Sequence, residues 1–214
     1  MIYLLSPLVK EGTHSLPMIS FELLVGSIDF GATELLMFTS KQAVVSANAI
    51  DPRWKNYDSI AIGGATKSKI EELGGKVIYH PKAFYGEALA VDIQAFFADK
   101  KILYLRPEEV SFDSKAFLAK EGIVLEEQIL YRTSCQAYPK EDKPKQGAII
   151  IFTAPSTIRC FFKNFEWDES YTAVLIGEAT KAHLPKGCRY VVSEIPLIDS
   201  CIKKAKEIDK NSDI

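Results

Sequence analysis

The sequence predicts an α/β protein in which one unit, a doubly wound parallel sheet, is built twice. Three observations lead there. Apolar strands alternate with helical segments along most of the chain, the pattern of parallel sheets covered on both faces. The stretch Val174-Leu175-Ile176-Gly177-Glu178-Ala179-Thr180 reads as a buried strand, a glycine turn and a helix start, and Ile60-Ala61-Ile62-Gly63-Gly64-Ala65-Thr66 has the same build. Gly63 and Gly177 lie 114 positions apart, and the same displacement relates Phe38-Thr39-Ser40 to Phe152-Thr153-Ala154. Two unlike motifs sharing one offset predict an internal duplication, with a period far too long for a solenoid.

The elements follow in order. Ile2–Leu5 is a short strand closed by Ser6-Pro7, and the stretch from Leu8 to Leu16 shows little helical periodicity. Residues 17–24 alternate as a second strand, so the opening copy lacks the helix that should follow its first strand. Leu35–Phe38 is continuously apolar, as a strand buried on both faces must be. Ser40 can cap a helix over about 41–49, which Asp51-Pro52 breaks. Residues 59–62 form the next strand, and the helix after the glycine turn stops at Gly74-Gly75. Val77–Tyr79 is a further strand. Leu89, Ile93, Phe96 and Phe97 then stripe a helix over about 86–98. Ile102–Pro107 echoes Ile2–Pro7. A helix capped at Asp113 or Ser114, an alternating strand over 124–131, and a polar loop over 139–147 come next. Ile149–Phe152 leads into a helix opened by Pro155 and striped by Ile158, Phe161, Phe162 and Phe165. Pro185 shortens the helix after Thr180. A closing helix buries Ile198, Cys201, Ile202, Ala205 and Ile208, with fraying expected after Asp209.

Composition excludes several classes. The chain of 214 residues is 47% hydrophobic and 25% charged, ordinary for a soluble globular protein. Lys+Arg 26 against Asp+Glu 28 gives net charge −2, which advertises no nucleic-acid footprint. No apolar run approaches membrane-spanning or signal-peptide length, so a cytoplasmic location is expected. Cys135, Cys160, Cys188 and Cys201 show no paired spacing, and His14, His80 and His183 lie far apart. Scattered buried thiols are therefore expected, rather than a metal site or a disulfide framework.

Ligands of doubly wound sheets gather at the carboxyl ends of strands. Four strand-end turns here carry small or hydroxyl residues: 39–41, 63–66, 153–156 and 177–180. If two domains face each other across a cleft, helix N-termini at these turns could bind a multiply anionic ligand without a basic surface.

At this point the residues match a known family. Phe38-Thr39-Ser40-Lys41-Gln42-Ala43-Val44, Ile62-Gly63-Gly64-Ala65-Thr66, Leu103-Tyr104-Leu105-Arg106 and Ile129-Leu130-Tyr131-Arg132-Thr133 resemble segments of uroporphyrinogen-III synthase. So do Phe152-Thr153-Ala154-Pro155-Ser156, Ile176-Gly177-Glu178-Ala179-Thr180 and Ser193-Glu194-Ile195-Pro196, all in the family's order. The resemblance implies two flavodoxin-like domains joined by a two-stranded connector. One domain would be discontinuous, from 1–30 and 134–214, the other continuous over 33–130, with connectors near 31–32 and 131–133. It implies cyclisation of hydroxymethylbilane to uroporphyrinogen III, with inversion of ring D and loss of water. It also implies no cofactor or metal, a monomer, a linear tetrapyrrole substrate, no nucleic-acid or membrane partner, and transient contact with the preceding pathway enzyme.

The implied site residues are Tyr131 for chemistry and, for substrate binding, Thr39, Ser40, Lys41, Gly63, Gly64, Thr66, Ala154, Pro155, Ser156, Gly177, Glu178, Ala179 and Thr180. Tyr131 matches the family's connector tyrosine, and its phenol could donate a hydrogen bond to the departing hydroxyl. The plainer reading is that Tyr131 packs at a strand edge. Thr66, Thr180, Ser40 and Ser156 read equally as helix caps, Gly63 and Gly177 as turn glycines, and Lys41 as a solvated helix start. Arg106 suits either a carboxylate or a surface ion pair. Three features depart from the pattern: the missing early helix, Glu178-Ala179 where relatives commonly carry proline and threonine, and Ala154 in place of a frequent serine. A non-catalytic two-domain binder of small anions would show the same turns.

Overall fold

The computed structural model describes residues 1–81 and 85–211. Its strands are β1 (Ile2–Leu4), β2 (His14–Ser15), β3 (Ile19–Leu23), β4 (Leu35–Phe38), β5 (Asp58–Ala61) and β6 (Lys76–Tyr79). They continue as β7 (Ile102–Pro107), β8 (Leu125–Cys135), β9 (Ile149–Phe152), β10 (Thr172–Leu175) and β11 (Tyr190–Val192). The helices are α1 (Lys41–Ile50), α2 (Gly64–Glu72), α3 (Gly86–Phe96), α4 (Ser114–Ala119), α5 (Pro155–Asn164), α6 (Glu178–Lys181) and α7 (Ile198–Asn211). The chain divides into two compact units, the first of residues 1–20 and 134–214 and the second of 21–133. It passes between them within β3 and within β8, which are neighbours in one sheet. The first passage therefore falls after Ser20 rather than near 31–32, and residues 131–133 are part of one uninterrupted strand.

The second unit's sheet has the order β3-β8-β7-β4-β5-β6, and β4 through β8 pair in parallel. Alternate residues of β4 serve opposite faces. Leu36 and Phe38 pack with Val44, Ala47, Trp54 and Ile70, while Leu35 and Met37 pack with Leu89, Ile93 and Leu118. Helices on both sides explain why this strand is apolar throughout. Gly74, with φ 89°, ends α2 in a Schellman motif: its N–H donates to Glu71 O, and the Gly75 N–H donates to Ile70 O. A Cβ on Gly75 would collide with the Trp54 ring, so the indole packs directly on the turn.

The first unit's sheet runs β11-β10-β9-β1-β2, again parallel. Ile2, Leu4, Ile149, Ile151 and Val174 pack against Cys201, Ile202 and Ala205 of α7. On α5, Phe161 meets Phe152 edge-on at 5.6 Å. Between β1 and β2 the expected helix is indeed missing. The chain pairs Tyr3 with His14 and Leu4 with Ser15, and Leu16 N–H then donates to Leu4 O at 3.0 Å. A groove of about 570 Å³ runs beside α7, lined by Lys10, Glu11, Ile202, Lys206 and Lys210.

Numbered within its own unit, the first sheet has the flavodoxin order 2-1-3-4-5. The second, without β3, has the order 3-2-1-4-5. The spatial arrangement is nonetheless shared, because β4, β5 and β6 start 114 residues before β9, β10 and β11. Chain order differs because β1 and β2 open the first unit, whereas the equivalent β7 and β8 close the second.

The cysteine expectation requires correction. Cys135 and Cys160 form a disulfide with Cα atoms 5.1 Å apart, leaving Cys188 and Cys201 free. Cys135 ends β8 and Cys160 lies on α5, and sequence spacing carries no trace of that approach.

Candidate active site

The β4 strand end gathers the most functional groups. Ser40 is the N-cap of α1, and its Oγ accepts from the Ala43 N–H at 3.0 Å. The same Oγ lies 3.0 Å from the Tyr131 hydroxyl, and Thr39 Oγ1 lies 2.6 Å from the Tyr104 hydroxyl. Both phenols are buried, at 3% and 2% exposure, while Thr39 and Ser40 are half-buried. Tyr104 belongs to the α3/α4 side of the sheet and Tyr131 to the α1/α2 side, so the rings reach the strand end from opposite faces. Burial pushes the Tyr104 phenol up to about 12, against a smaller opposing pull from the Thr39 contact. Burial also raises Tyr131, so both phenols keep their protons at neutral pH. Lys41 is exposed at the first position of α1.

The plainer reading of Tyr131 accounts for its ring, which packs in the core edge-on to Phe21 at 5.7 Å. Its hydroxyl reaches Ser40 nevertheless. Tyr104 lies in one of the family-like segments, where the sequence alone assigns it no role. Its contact depends on the β4–β7 pairing, where Met37 lies opposite Tyr104, and a single sequence does not display that pairing.

At the second turn, Gly63 is the N-cap of α2 and Gly64 its first residue. Thr66 N–H and Lys67 N–H fold back onto Gly63 O at 3.1 and 2.9 Å, so the first two N–H groups of α2 point out of the turn. Thr66 is buried at 4% exposure and sits at the third helical position, so its hydroxyl is not the cap. A Cβ on Gly64 would meet no atom within 4 Å.

The first unit repeats this at Gly177, where Thr180 N–H donates to Gly177 O at 3.0 Å and Thr180 is buried. Gly177 has extended backbone (φ 179°), and a Cβ there would also meet nothing within 4 Å. Neither turn geometry nor protein packing therefore demands glycine at 177. Glu178 and Ala179 are exposed, and Glu178 pairs with Lys181 at 3.1 Å, which offsets the carboxylate's charge at the turn. Ala154 caps α5 without a side-chain acceptor. Instead the Thr157 hydroxyl donates to Ala154 O at 2.7 Å, with Pro155 at the first helical position and Ser156 half-buried beside it.

Arg106 is largely occupied. Its Nε lies 3.1 Å from Glu127 Oε1, and its Nη1 donates to Pro107 O and Glu108 O at 2.9 Å each. Among the described residues no group of three or more His, Cys, Asp or Glu side chains could hold a metal ion. No helix of the described residues is long and apolar enough to cross a membrane.

The predicted residues thus fall into two sets. Thr39, Ser40, Lys41, Gly63, Gly64, Thr66 and Tyr131 belong to the second unit, and Ala154, Pro155, Ser156, Gly177, Glu178, Ala179 and Thr180 to the first. Within each unit the turns follow the carboxyl ends of adjacent parallel strands, β4 and β5 in one and β9 and β10 in the other.

Known proteins share this architecture. The solved structure of uroporphyrinogen-III synthetase from Helicobacter pylori 26695 is similar with a TM-score of 0.79 and 24% identity, covering 97% of this chain and 98% of that one. A mutant uroporphyrinogen III synthase from the extremely thermophilic bacterium Thermus thermophilus is similar with a TM-score of 0.60 and 13% identity, covering 98% of both chains. At these identities the likeness concerns the fold. No curated protein matches the chain. A family model described as Uroporphyrinogen-III synthase HemD matches residues 5–203, nearly the whole chain. With strand-end turns that suit a polyanion and a family match of this extent, the chain belongs to the uroporphyrinogen-III synthase family, lyases of porphyrin and heme biosynthesis.

Proposed function

We propose that the chain performs its family's reaction, closing hydroxymethylbilane into uroporphyrinogen III, chiefly by holding the substrate curled with main-chain donors. The acetate and propionate groups meet N–H groups of the turns at 39–41, 63–66, 154–156 and 177–180. The observation that carries this reading is the open space at Gly64 and Gly177. A side chain would fit the protein at either position, yet each holds a glycine beside outward N–H groups. Close approach of a ligand to the backbone accounts for that choice.

In the reaction the hydroxymethyl C–O bond breaks with its electron pair on oxygen, which takes up a proton and leaves as water. The pyrrole nitrogen stabilises the resulting cation. The substituted ring D carbon then attacks it, forming a spiro intermediate; the bond from that carbon to its original methylene breaks, the methylene rejoins ring D at its unsubstituted α-carbon, and loss of that carbon's proton gives the type III ring. Hydroxymethylbilane cyclises unaided to the type I isomer, so the enzyme's task is to select the pose. Positioning of reacting groups supplies roughly 7–11 kcal/mol in favourable cases. Tyr131 provides the hydrogen bond that assists loss of the hydroxyl, presented at the strand end beside Ser40 Oγ. Lys41, exposed at the head of α1, adds positive charge near the same turn.

Three further points belong to the same reading. The shared strand arrangement and the 114-residue offset support a duplication whose halves are interleaved. The working form is a monomer. It acts in the cytoplasm, with transient contact to the enzyme that supplies its unstable substrate. Incubating the purified chain with hydroxymethylbilane and separating the products tests the function. Uroporphyrinogen III is expected, and the type I isomer alone would show a binder rather than a synthase.

A further inference from the structure

We propose that Tyr104 is a positioning residue: its hydroxyl donates to Thr39 Oγ1 and thereby turns the Thr39 proton outward, toward a substrate carboxylate. The inference rests on the reading above that the turn at 39–41 binds the substrate.

The two oxygens are 2.6 Å apart, and each hydroxyl has one proton to give. If Thr39 donated, the Tyr104 proton would need another acceptor. The ring is 2% exposed and packs with Leu35, Met37 and Leu89; Glu127, opposite it on β8, pairs with Arg106, and the hydrogen bond its hydroxyl makes is the one to Thr39. A buried donor without a partner is costly, whereas Thr39 is half-buried and can direct its own proton to a ligand. A phenol is also the stronger donor of the two. Burial keeps it protonated, with its pKa pushed up to about 12. The chain of bonds runs from Tyr104 O–H to Thr39 Oγ1 and from Thr39 O–H to the carboxylate, each bond strengthening the next.

Ser40 differs, because the proton of its phenol partner Tyr131 is assigned to the departing hydroxyl. Its Oγ already accepts from the Ala43 N–H and lies 3.0 Å from the Tyr131 hydroxyl. The outward donor at this strand end is therefore the Thr39 hydroxyl, backed by the Tyr104 phenol. The first unit lacks the device. Tyr104 lies opposite Met37, and the equivalent residue, opposite Ile151, is Leu4.

Steady-state turnover of hydroxymethylbilane, with the product isomers separated, tests this. Tyr104→Phe removes one oxygen and keeps the ring, and circular dichroism checks the fold. It should raise KM about five- to tenfold, the size of one hydrogen bond, with kcat changed much less. Thr39→Val should give a similar rise, and Thr39→Ser should restore KM. The double variant Tyr104→Phe/Thr39→Val should be no worse than Thr39→Val alone, because Tyr104 acts only through Thr39. Unchanged KM in Tyr104→Phe or Thr39→Val, or losses that multiply in the double variant, would overturn the proposal. Wild-type chain that makes type III product beside an unaffected Tyr104→Phe sinks this inference alone. Wild-type chain that makes no type III product sinks the reading beneath it as well.

Discussion

At the end of its central strand the second unit carries Thr39 and Ser40, each beside a buried phenol, whereas at the equivalent place the first unit keeps a threonine, Thr153, but has Ala154 in place of the serine and Leu4 in place of Tyr104. Ser40 caps α1 and lies beside the Tyr131 hydroxyl, while Ala154 caps α5 with no side-chain acceptor. Tyr104 supports Thr39 where the first unit has Leu4. The glycine turns are alike in both units, with buried threonines at the third helical position. In the proposed reading, one scaffold offers two kinds of anion contact. The shared part is backbone, which the fold supplies wherever a strand feeds a helix. The part particular to the second unit is polar side chains whose buried partners fix their direction.

The largest expected effect concerns the first unit, which has fewer covering helices and a disulfide. Replacing Cys135 and Cys160 by serine should lower that unit's unfolding free energy by about 2–4 kcal/mol and leave the second unit's transition in place. Urea unfolding followed by hydrogen exchange separates the two. Equal loss in both units would break the comparison.

Next comes Ser40→Ala, which removes a cap and leaves the Tyr131 hydroxyl buried without its partner. A loss of about 1–3 kcal/mol in the second unit is expected, readable by denaturant unfolding. The reverse change in the first unit, Ala154→Ser, supplies a cap where none exists and should stabilise it by roughly 0.5–1 kcal/mol. Tyr131→Phe should leave the fold intact and reduce kcat roughly tenfold or more. Unchanged turnover would remove the proposed donor.

The smallest effect on stability and the most informative one on binding is expected for Gly177→Ala. The added methyl meets no protein atom, so the unfolding midpoint should barely move, while KM for hydroxymethylbilane should rise. Gly64→Ala should do the same in the second unit. A change in stability without a change in KM would show that these glycines serve the turns themselves.

Much of this is legible in the sequence. The four-residue apolar runs at 35–38 and 149–152, the Ser40 cap, the Gly74 stop and the Pro155 start each act locally, and each forms the element expected of it. The short edge strands β2 and β11 escape such a reading. With two and three residues, and partly exposed, they show neither a buried run nor clear alternation. Thr66 and Thr180 resemble caps because the actual cap positions, Gly63 and Gly177, have no side chain to betray them. The Cys135–Cys160 bond and the Tyr104–Thr39 contact depend on tertiary approach, which no local pattern encodes. The fraying expected after Asp209 does not begin there, since α7 continues through Asn211; residues 212–214 lie outside the described residues.

The central claim, that backbone amides at strand-end turns grip the substrate's carboxylates, is tested most directly by a crystal structure with uroporphyrinogen III bound. Carboxylate oxygens should lie within about 3 Å of the N–H groups of residues 64–65 and 178–179. Carboxylates held instead by lysine and arginine side chains, with both glycine turns empty, would contradict the account.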